Sequence, residues 1–199
     1  MARGGRPRRP FRTERSRILV VTEGRVTEKE YVERLQQFLR GPISVSVTAV
    51  GIGRDPLKVV RECIRIRDEA RKRQKPFDCS VCLVDVDTHT TLKSAIETAQ
   101  REGIDLLVTR LKFETWLYWH VSESRAAHST RQLDELMSKH KLLRDGKHLA
   151  THFPFASVDD AIRTARAADL SLGSCRCGPD PSSGMPVLVE LMRGLTPRT

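Results

Sequence analysis

Short apolar runs alternate with helix-forming segments from residue 18 to residue 121. The runs ILVV (18–21), SVCLVDVD (80–87) and IDLLVTR (104–110) have the length of buried strands, and each precedes an amphipathic segment. A further run, ISVSVTAV at 43–50, alternates apolar and polar residues as an edge strand does. This alternation predicts an α/β fold, with a parallel sheet of about four strands flanked by helices and joined by right-handed crossovers.

Capping signals mark where the predicted helices begin. Thr27 is the expected N-cap of a helix that runs to about residue 41, with Glu30 as its capping-box partner. Phe38 is expected on the inward face of that helix. Asp55 followed by Pro56 opens the next helix in the favoured order of cap and proline. Further helices are predicted at 91–102 and 114–121.

Strand signals vanish after about residue 122. Ser129 with Gln132, and Ser157 with Asp160, have the spacing of helix caps, and the apolar segment at 185–192 predicts a last helix. The chain is therefore expected to comprise a basic disordered tail (1–17), an α/β core (18–122) and a helical C-terminal extension packed on the core (123–199).

The chain is strongly basic, with a formal net charge of +10 over 199 residues. Such an excess favours phosphate-rich partners, although it also fits an acidic protein surface or anionic lipid. The tail at 1–17 is rich in Arg, Gly and Pro, and two interpretations stay open, a phosphate-seeking arm and a solvated terminus.

Two further features bear on location. No apolar stretch approaches the roughly 20 residues of a spanning helix, and the N-terminus lacks the apolar segment of a signal peptide. We therefore expect a cytoplasmic protein without a membrane partner. The five cysteines do not describe a disulfide framework, and the close spacing of Cys175 and Cys177 argues against structural zinc.

Acidic residues stand where the first and third predicted strands end. Glu23 follows the first strand and precedes Gly24, whose missing side chain permits close approach of a ligand. Asp85 and Asp87 close the third strand, two residues apart and therefore on one face. Because the carboxyl ends of parallel strands share one edge, these acids are expected to meet in one crevice. The pattern predicts a site for a divalent cation, with Mg²⁺ as the expected occupant and Mn²⁺ as the alternative.

An acidic pair after an apolar run also occurs in receiver-like acidic pockets and in haloacid-dehalogenase phosphatases. The phosphatase motif places its pair on the first strand and has a small or β-branched residue two places past the second acid, where this chain has His89. The phosphatase interpretation is therefore disfavoured.

The acids and their flanking residues resemble a known family. VVTEG and VDVD within alternating strands and helices are similar to the Toprim domain of topoisomerases, primases and related nucleases. TEGRVTEKEYV, VCLVDVDTH, LKFETWLYWHV and DPSSGMPVLVELM together resemble the RloB family of Toprim-fold proteins. That resemblance implies a magnesium-dependent, nuclease-like protein of bacterial phage defence, often encoded beside an ABC- or AAA-type ATPase in abortive-infection systems.

The resemblance also implies roles for individual residues. It makes Glu23 the general acid/base and makes Asp85 and Asp87 metal ligands, with Glu114 as a further acid that completes the metal site. The family usually has Asn-Pro shortly before its Phe-Glu pair, whereas this chain has Arg110-Leu111.

Several basic and aromatic residues near the predicted site allow two interpretations each. Arg110 and Lys112 are candidates to clamp flanking phosphates, or are surface charges on a turn, and His89 is a candidate substrate contact. Trp116 and Trp119 are candidates to stack on nucleic-acid bases, but their spacing favours packing in a core.

The function expected from the sequence is a Mg²⁺-dependent endonuclease that cleaves RNA, with tRNA as one candidate, or DNA in antiphage defence. One alternative is a non-catalytic Toprim scaffold that binds an ATPase partner and nucleic acid. Another is a primase-like nucleotidyl transferase, which would require nucleoside triphosphates and form a polymer.

Overall fold

A four-stranded parallel sheet forms the centre of the molecule. The computed structural model describes residues 16–40, 43–49, 55–86 and 91–195. The strands are β1 (Arg17–Thr22), β2 (Ser44–Ala49), β3 (Cys79–Val86) and β4 (Asp105–Arg110), in the order β2-β1-β3-β4. This arrangement confirms the predicted fold class and is consistent with a Toprim-like sheet. The edge position predicted for β2 is also confirmed, and β1 begins one residue earlier than expected.

Helices cover both faces of the sheet. The connecting helices are α1 (Thr27–Leu39), α2 (Pro56–Lys72), α3 (Leu92–Glu102) and α4 (Glu114–Tyr118). Alternate residues of each strand point to opposite faces, so Val20 packs with α1 and α4, whereas Leu19 and Val21 pack with α2 and α3. The central strands are buried on both faces, as is usual for parallel sheets.

The C-terminal part of the chain packs on the α1 and α4 face. It contains α5 (Thr130–Lys139), the short strands β5 (Leu143–Arg144) and β6 (His148–Leu149), a 3₁₀ turn (Phe155–Ser157), α6 (Val158–Ala168) and α7 (Met185–Met192). The β5–β6 hairpin was not predicted because two-residue strands give no periodic signal. Asp145 and Gly146 in its turn both have positive φ, which their residue types tolerate.

The predicted helix caps had mixed outcomes. The Asp55 side chain accepts a hydrogen bond from the Leu57 N–H (3.1 Å), and Ser129 and Gln132 form a complete capping box, as expected. Ser157 is the N-cap of α6, but its side chain makes no capping hydrogen bond.

The cap predicted at Thr27 is wrong, because the N-cap of α1 is Val26 and no side chain caps that helix. The Thr27 hydroxyl donates to the Lys147 carbonyl (2.7 Å), and the Glu30 carboxylate accepts from the Leu149 N–H (3.1 Å). Both side chains therefore hold the β5–β6 hairpin. Phe38, expected to face inward, is 47% exposed.

A buried aromatic cluster joins α1, α4 and the C-terminal part. The Tyr31 hydroxyl lies 3.0 Å from Nε2 of His120, whose Nδ1 lies 3.1 Å from the Trp116 carbonyl. Burial lowers the pKa of His120 to about 4, so the ring is neutral near pH 7. Trp116 and Trp119 are buried, which confirms their interpretation as packing residues.

The outer edge of β4 is covered by the loop at 175–184. The Cys175 N–H donates to the Leu106 carbonyl (2.7 Å), and the Arg110 N–H donates to the Ser182 carbonyl (2.9 Å). These bonds satisfy an edge that would otherwise be open to pairing with another chain, and they fix the end of β4. Within the described ranges, no helix is both long and apolar enough to cross a membrane.

Candidate functional site

Backbone hydrogen bonds bring the ends of β1, β3 and β4 together at one edge of the sheet. The Glu23 N–H donates to the Leu83 carbonyl (3.1 Å), which ties the residue after β1 to β3. The Leu111 N–H donates to the Val86 carbonyl (3.0 Å), which ties the start of the β4–α4 loop to the same strand. The segments that carry Glu23, Asp85 and Glu114 therefore share the carboxyl edge, as the sequence predicted.

Asp85 is a half-buried residue on β3, on the same sheet face as Leu83 and hence on the side of α1 and α4. Burial raises the pKa of its carboxyl group well above the usual range, and the charges of Glu28, Glu114 and Glu23 raise it further. A hydrogen bond from the Phe113 backbone opposes that shift. Acids that raise one another's proton affinity in this way require a shared proton or a cation.

Glu28 is a member of this cluster that the sequence interpretation missed. It lies in the first turn of α1 and is only 8% exposed. Burial raises the pKa of its carboxyl group, hydrogen bonds from the Glu28 and Gly24 backbones lower it, and the charge of Glu114 raises it. An acid in the first turn of a helix is normally explained by the helix dipole, so its position alone gave no signal of a site.

Gly24 makes room for the Glu28 carboxylate. A Cβ atom placed on Gly24 would collide with both carboxylate oxygens of Glu28. The close approach expected at this glycine therefore serves a side chain of the same protein. The space left by Gly24 is therefore occupied by the Glu28 carboxylate, whose charge raises the pKa of Asp85.

The donor chemistry of these acids fits a hard divalent cation, because Mg²⁺ prefers carboxylate oxygens. In the part of the chain that the structure describes, no group of three or more His, Cys, Asp or Glu side chains converges closely enough to hold a metal ion. The predicted ligand Asp87 and the predicted substrate contact His89 lie outside the described residues. Asp85, Glu28 and Glu114 have the oxygen donors that such a cation prefers.

The two cations predicted to clamp phosphates lie at the same edge and contact the C-terminal part of the chain. The Lys112 ammonium pairs with Asp134 of α5, and the Arg110 guanidinium donates to the Cys177 sulfur (3.5 Å). Leu111, between them, has a φ of 65°, a conformation that non-glycine residues rarely adopt. The loop that leads into α4 is therefore held in an unusual backbone conformation beside the acids.

The parallel sheet and its flanking helices make this chain an α/β protein, with acidic residues at the carboxyl edge of the sheet. The model of the RloB-like protein family matches residues 18–192. The chain therefore belongs to the RloB-like family, which confirms the resemblance seen in its motifs.

Other comparisons add little. No curated protein matches the chain. Among solved structures, the crystal structure of a sigma-54 interaction domain protein from Enterococcus faecalis is similar at 8% identity, covering 63% of this chain and 90% of that one. Its TM-score is 0.28, so the likeness carries no argument about fold or function.

Proposed function

We propose that this RloB-like protein is a Mg²⁺-dependent Toprim endonuclease that cleaves phosphodiester bonds in RNA or DNA as the effector of an antiphage abortive-infection system. The observation that supports this proposal is the electrostatic coupling of Asp85 with Glu28, Glu114 and Glu23, which come from separate segments of the chain. Enclosed acids that raise one another's pKa cost stability, and acids with perturbed pKa values at one sheet edge are characteristic of functional sites.

The acids divide into two roles. Asp85, Glu28 and Glu114, together with Asp87, would hold the cation. When bound, that cation supplies positive charge against the nonbridging oxygens of the phosphodiester. The Phe113 backbone hydrogen bond fixes the Asp85 carboxylate, and the Glu28 and Gly24 backbones fix the Glu28 carboxylate. These bonds orient the ligands before any substrate arrives.

Glu23 is the proposed general acid/base. Its charge contributes to the raised pKa of Asp85, together with the charges of Glu28 and Glu114. Its backbone is fixed to β3 by the bond to Leu83, so the carboxylate belongs to a rigid part of the edge. From there it would take the proton of an attacking water or return one to the leaving oxygen.

The substrate contacts and partners are part of the same proposal. Arg110, Lys112 and His89 would contact phosphates that flank the cleaved bond. An ABC- or AAA-type ATPase partner would restrain the activity, because an unrestrained intracellular nuclease is toxic. A cytoplasmic location follows from the proposed intracellular target.

Cleavage of labelled tRNA and of supercoiled plasmid, with Mg²⁺ or with EDTA, tests the proposal. We expect Mg²⁺-dependent cleavage by the wild type and a loss of about a thousandfold or more in Asp85→Asn, because a charged ligand is removed. The matched control is Asp145→Asn, an exposed aspartate in the hairpin turn, which should cleave normally. Absence of cleavage both by the isolated protein and in the presence of the ATPase partner would contradict the proposal.

A non-catalytic scaffold is the second candidate, and one observation favours it. Among the described residues, the acids do not converge as tightly as a metal cluster requires. Phage protection by Glu23→Gln separates the two functions, because a scaffold retains protection and a nuclease loses it. A primase-like nucleotidyl transferase would instead depend on nucleoside triphosphates and yield longer products.

A further inference from the structure

Four exposed cations lie close together in sequence at the amino edge of the sheet, at the opposite end of the strands from the acids. Arg71 and Lys72 end α2, and Arg73 and Lys75 follow directly. All four side chains are exposed. We call these four residues the basic edge patch.

The basic edge patch is poorly neutralised by its surroundings. Within the described ranges, Arg71, Lys72 and Lys75 form no ion pair, and Arg73 has only a 3.9 Å contact with Glu69. By contrast, Arg65 in the middle of the same helix pairs with Glu62 (2.6 Å) and with Glu69 (2.5 Å). The ordinary explanation for a basic helix face, a network of ion pairs in solvent, therefore applies to the middle of α2 and not to its end.

The helix dipole explains only part of the patch. Cations in the last turn of a helix interact favourably with its carbonyl groups, which accounts for Arg71 and Lys72. The dipole effect falls off within the last turn, and Arg73 and Lys75 lie beyond it. Among the described contacts, the Lys75 side chain forms no ion pair and Arg73 has only its 3.9 Å contact with Glu69.

The N-terminal part of the chain enters the fold beside this patch. The Arg17 N–H donates to Asp78 (2.7 Å), and the Arg17 guanidinium donates to the Pro76 carbonyl (2.9 Å) and lies over the Phe77 ring (4.6 Å to its centroid). Arg17 therefore lies beside the basic edge patch and adds a further cation to this edge of the sheet.

We propose that the basic edge patch binds the phosphate backbone of nucleic acid as a second surface remote from the acidic edge. A strand of eight residues such as β3 spans about 26 Å, so one polynucleotide that reaches both edges must be long or folded. The choice of nucleic acid as the polyanion rests on the proposed function, whereas the charge arrangement does not depend on it.

The composition of the patch favours nucleic acid over an acidic protein. Specific protein interfaces have an apolar or aromatic centre, but residues 71–76 (RKRQKP) are all exposed and include no aromatic or aliphatic side chain other than proline. The nearest aromatic ring, Phe77, is covered by Arg17. Lysine and arginine without aromatic neighbours bind phosphate backbones through charge, without reading sequence.

Fluorescence anisotropy with a labelled RNA hairpin and a DNA duplex, in EDTA and over a series of salt concentrations, tests the proposal. The test variant carries Gln at positions 71, 72, 73 and 75. The control variant carries Gln in place of four exposed cations elsewhere, Arg125, Lys139, Lys141 and Arg163. Both variants lose the same charge, and both change only surface residues.

We expect the test variant to bind at least about tenfold more weakly than wild type near 0.15 M salt, with a log–log salt slope smaller by about 3, because four phosphate contacts are lost. The control variant should bind within about twofold of wild type, since its cations lie outside the contact. Equal binding by the test variant and wild type, or an equal loss in the control, would overturn the proposal. Displacement by polyglutamate as effective as displacement by unlabelled nucleic acid would overturn it in favour of an acidic protein partner.

The same assay separates this proposal from the proposed function. EDTA removes divalent cations and with them any Mg²⁺-dependent cleavage, so the anisotropy reports binding alone. Patch-dependent binding without any Mg²⁺-dependent cleavage would refute the nuclease and leave the binding surface standing. Cleavage that is unaffected by the patch, with binding also unaffected, would refute the surface alone.

Discussion

The two ends of the parallel sheet carry opposite charges in different environments. At the carboxyl edge, burial and the charges of neighbouring acids raise the pKa values of Asp85 and Glu28. At the amino edge, the cations of the basic edge patch project into solvent. Water screens like charges that are exposed, so the basic edge costs little stability, whereas enclosed carboxylates repel one another strongly. The net charge of +10 is a sum over the whole chain, so it does not reveal the acidic residues at the carboxyl edge.

This difference shows which edge needs a ligand. Repulsion within a set of half-buried acids is relieved by a proton or by a cation, and the proposed function assigns that role to Mg²⁺. The exposed cations are stable alone and attract any polyanion over the range of the Debye length. We therefore expect catalysis at the acidic carboxyl edge, and sequence-independent binding of polyanions at the basic amino edge.

Among the variants that test the contrast between the two edges, Glu28→Gln is expected to have the largest effect on the cleavage rate. Loss of a buried charge that would hold the cation should lower cleavage by about a hundredfold. The matched control is Glu33→Gln, which changes an exposed glutamate of the same helix and should leave the cleavage rate unchanged. The rate is measured at saturating Mg²⁺. A normal rate for Glu28→Gln would remove Glu28 from the site.

A smaller effect is expected from Gly24→Ala. The added methyl group collides with the Glu28 carboxylate and should displace it, lowering cleavage by about tenfold through misplacement of a ligand. Gly173→Ala is the control, since the nearest atom to its Cβ would be the Ser171 carbonyl oxygen at 3.8 Å. Equal rates for both variants would show that the position of Glu28 does not matter.

The smallest effect concerns stability without divalent cations. Asp85→Asn removes a charge from the crowded acidic edge and should raise the free energy of unfolding by about 1–2 kcal/mol, because functional sites trade stability for activity. Neutralising the basic edge patch should change it by less than about 0.5 kcal/mol, since exposed charges interact weakly. Denaturant unfolding in EDTA measures both. A larger change at the basic edge would contradict the contrast between enclosed and exposed charge.

Local signals in the sequence determined much of the fold correctly. The strands, the Asp55 cap and the Ser129 capping box depend on neighbouring residues, and the structure confirms all of them. Thr27 and Glu30 also have the spacing of a cap, but they hold the β5–β6 hairpin, more than a hundred residues away. Contacts with residues this distant in sequence override the local preference for a helix cap, and the spacing of Thr27 and Glu30 does not indicate them.

The sequence predicted where the acidic cluster lies, but it did not predict all of the residues that form it. Parallel topology places Glu23, Asp85 and Glu114 at one edge, and this follows from strand order alone. Glu28 joins them because α1 packs on the Asp85 face of the sheet and Gly24 leaves room for its carboxylate. That arrangement depends on which helix covers which face, which the sequence pattern does not specify.

Calorimetric titration of Mg²⁺ into the metal-free protein tests the central claim most directly, that acids from separate segments form one cation site. We predict saturable binding by wild type and by Asp145→Asn, and loss of that binding in Asp85→Asn. The readout needs neither substrate nor ATPase partner. Saturable binding that persists in Asp85→Asn, or its absence in wild type, would contradict the account.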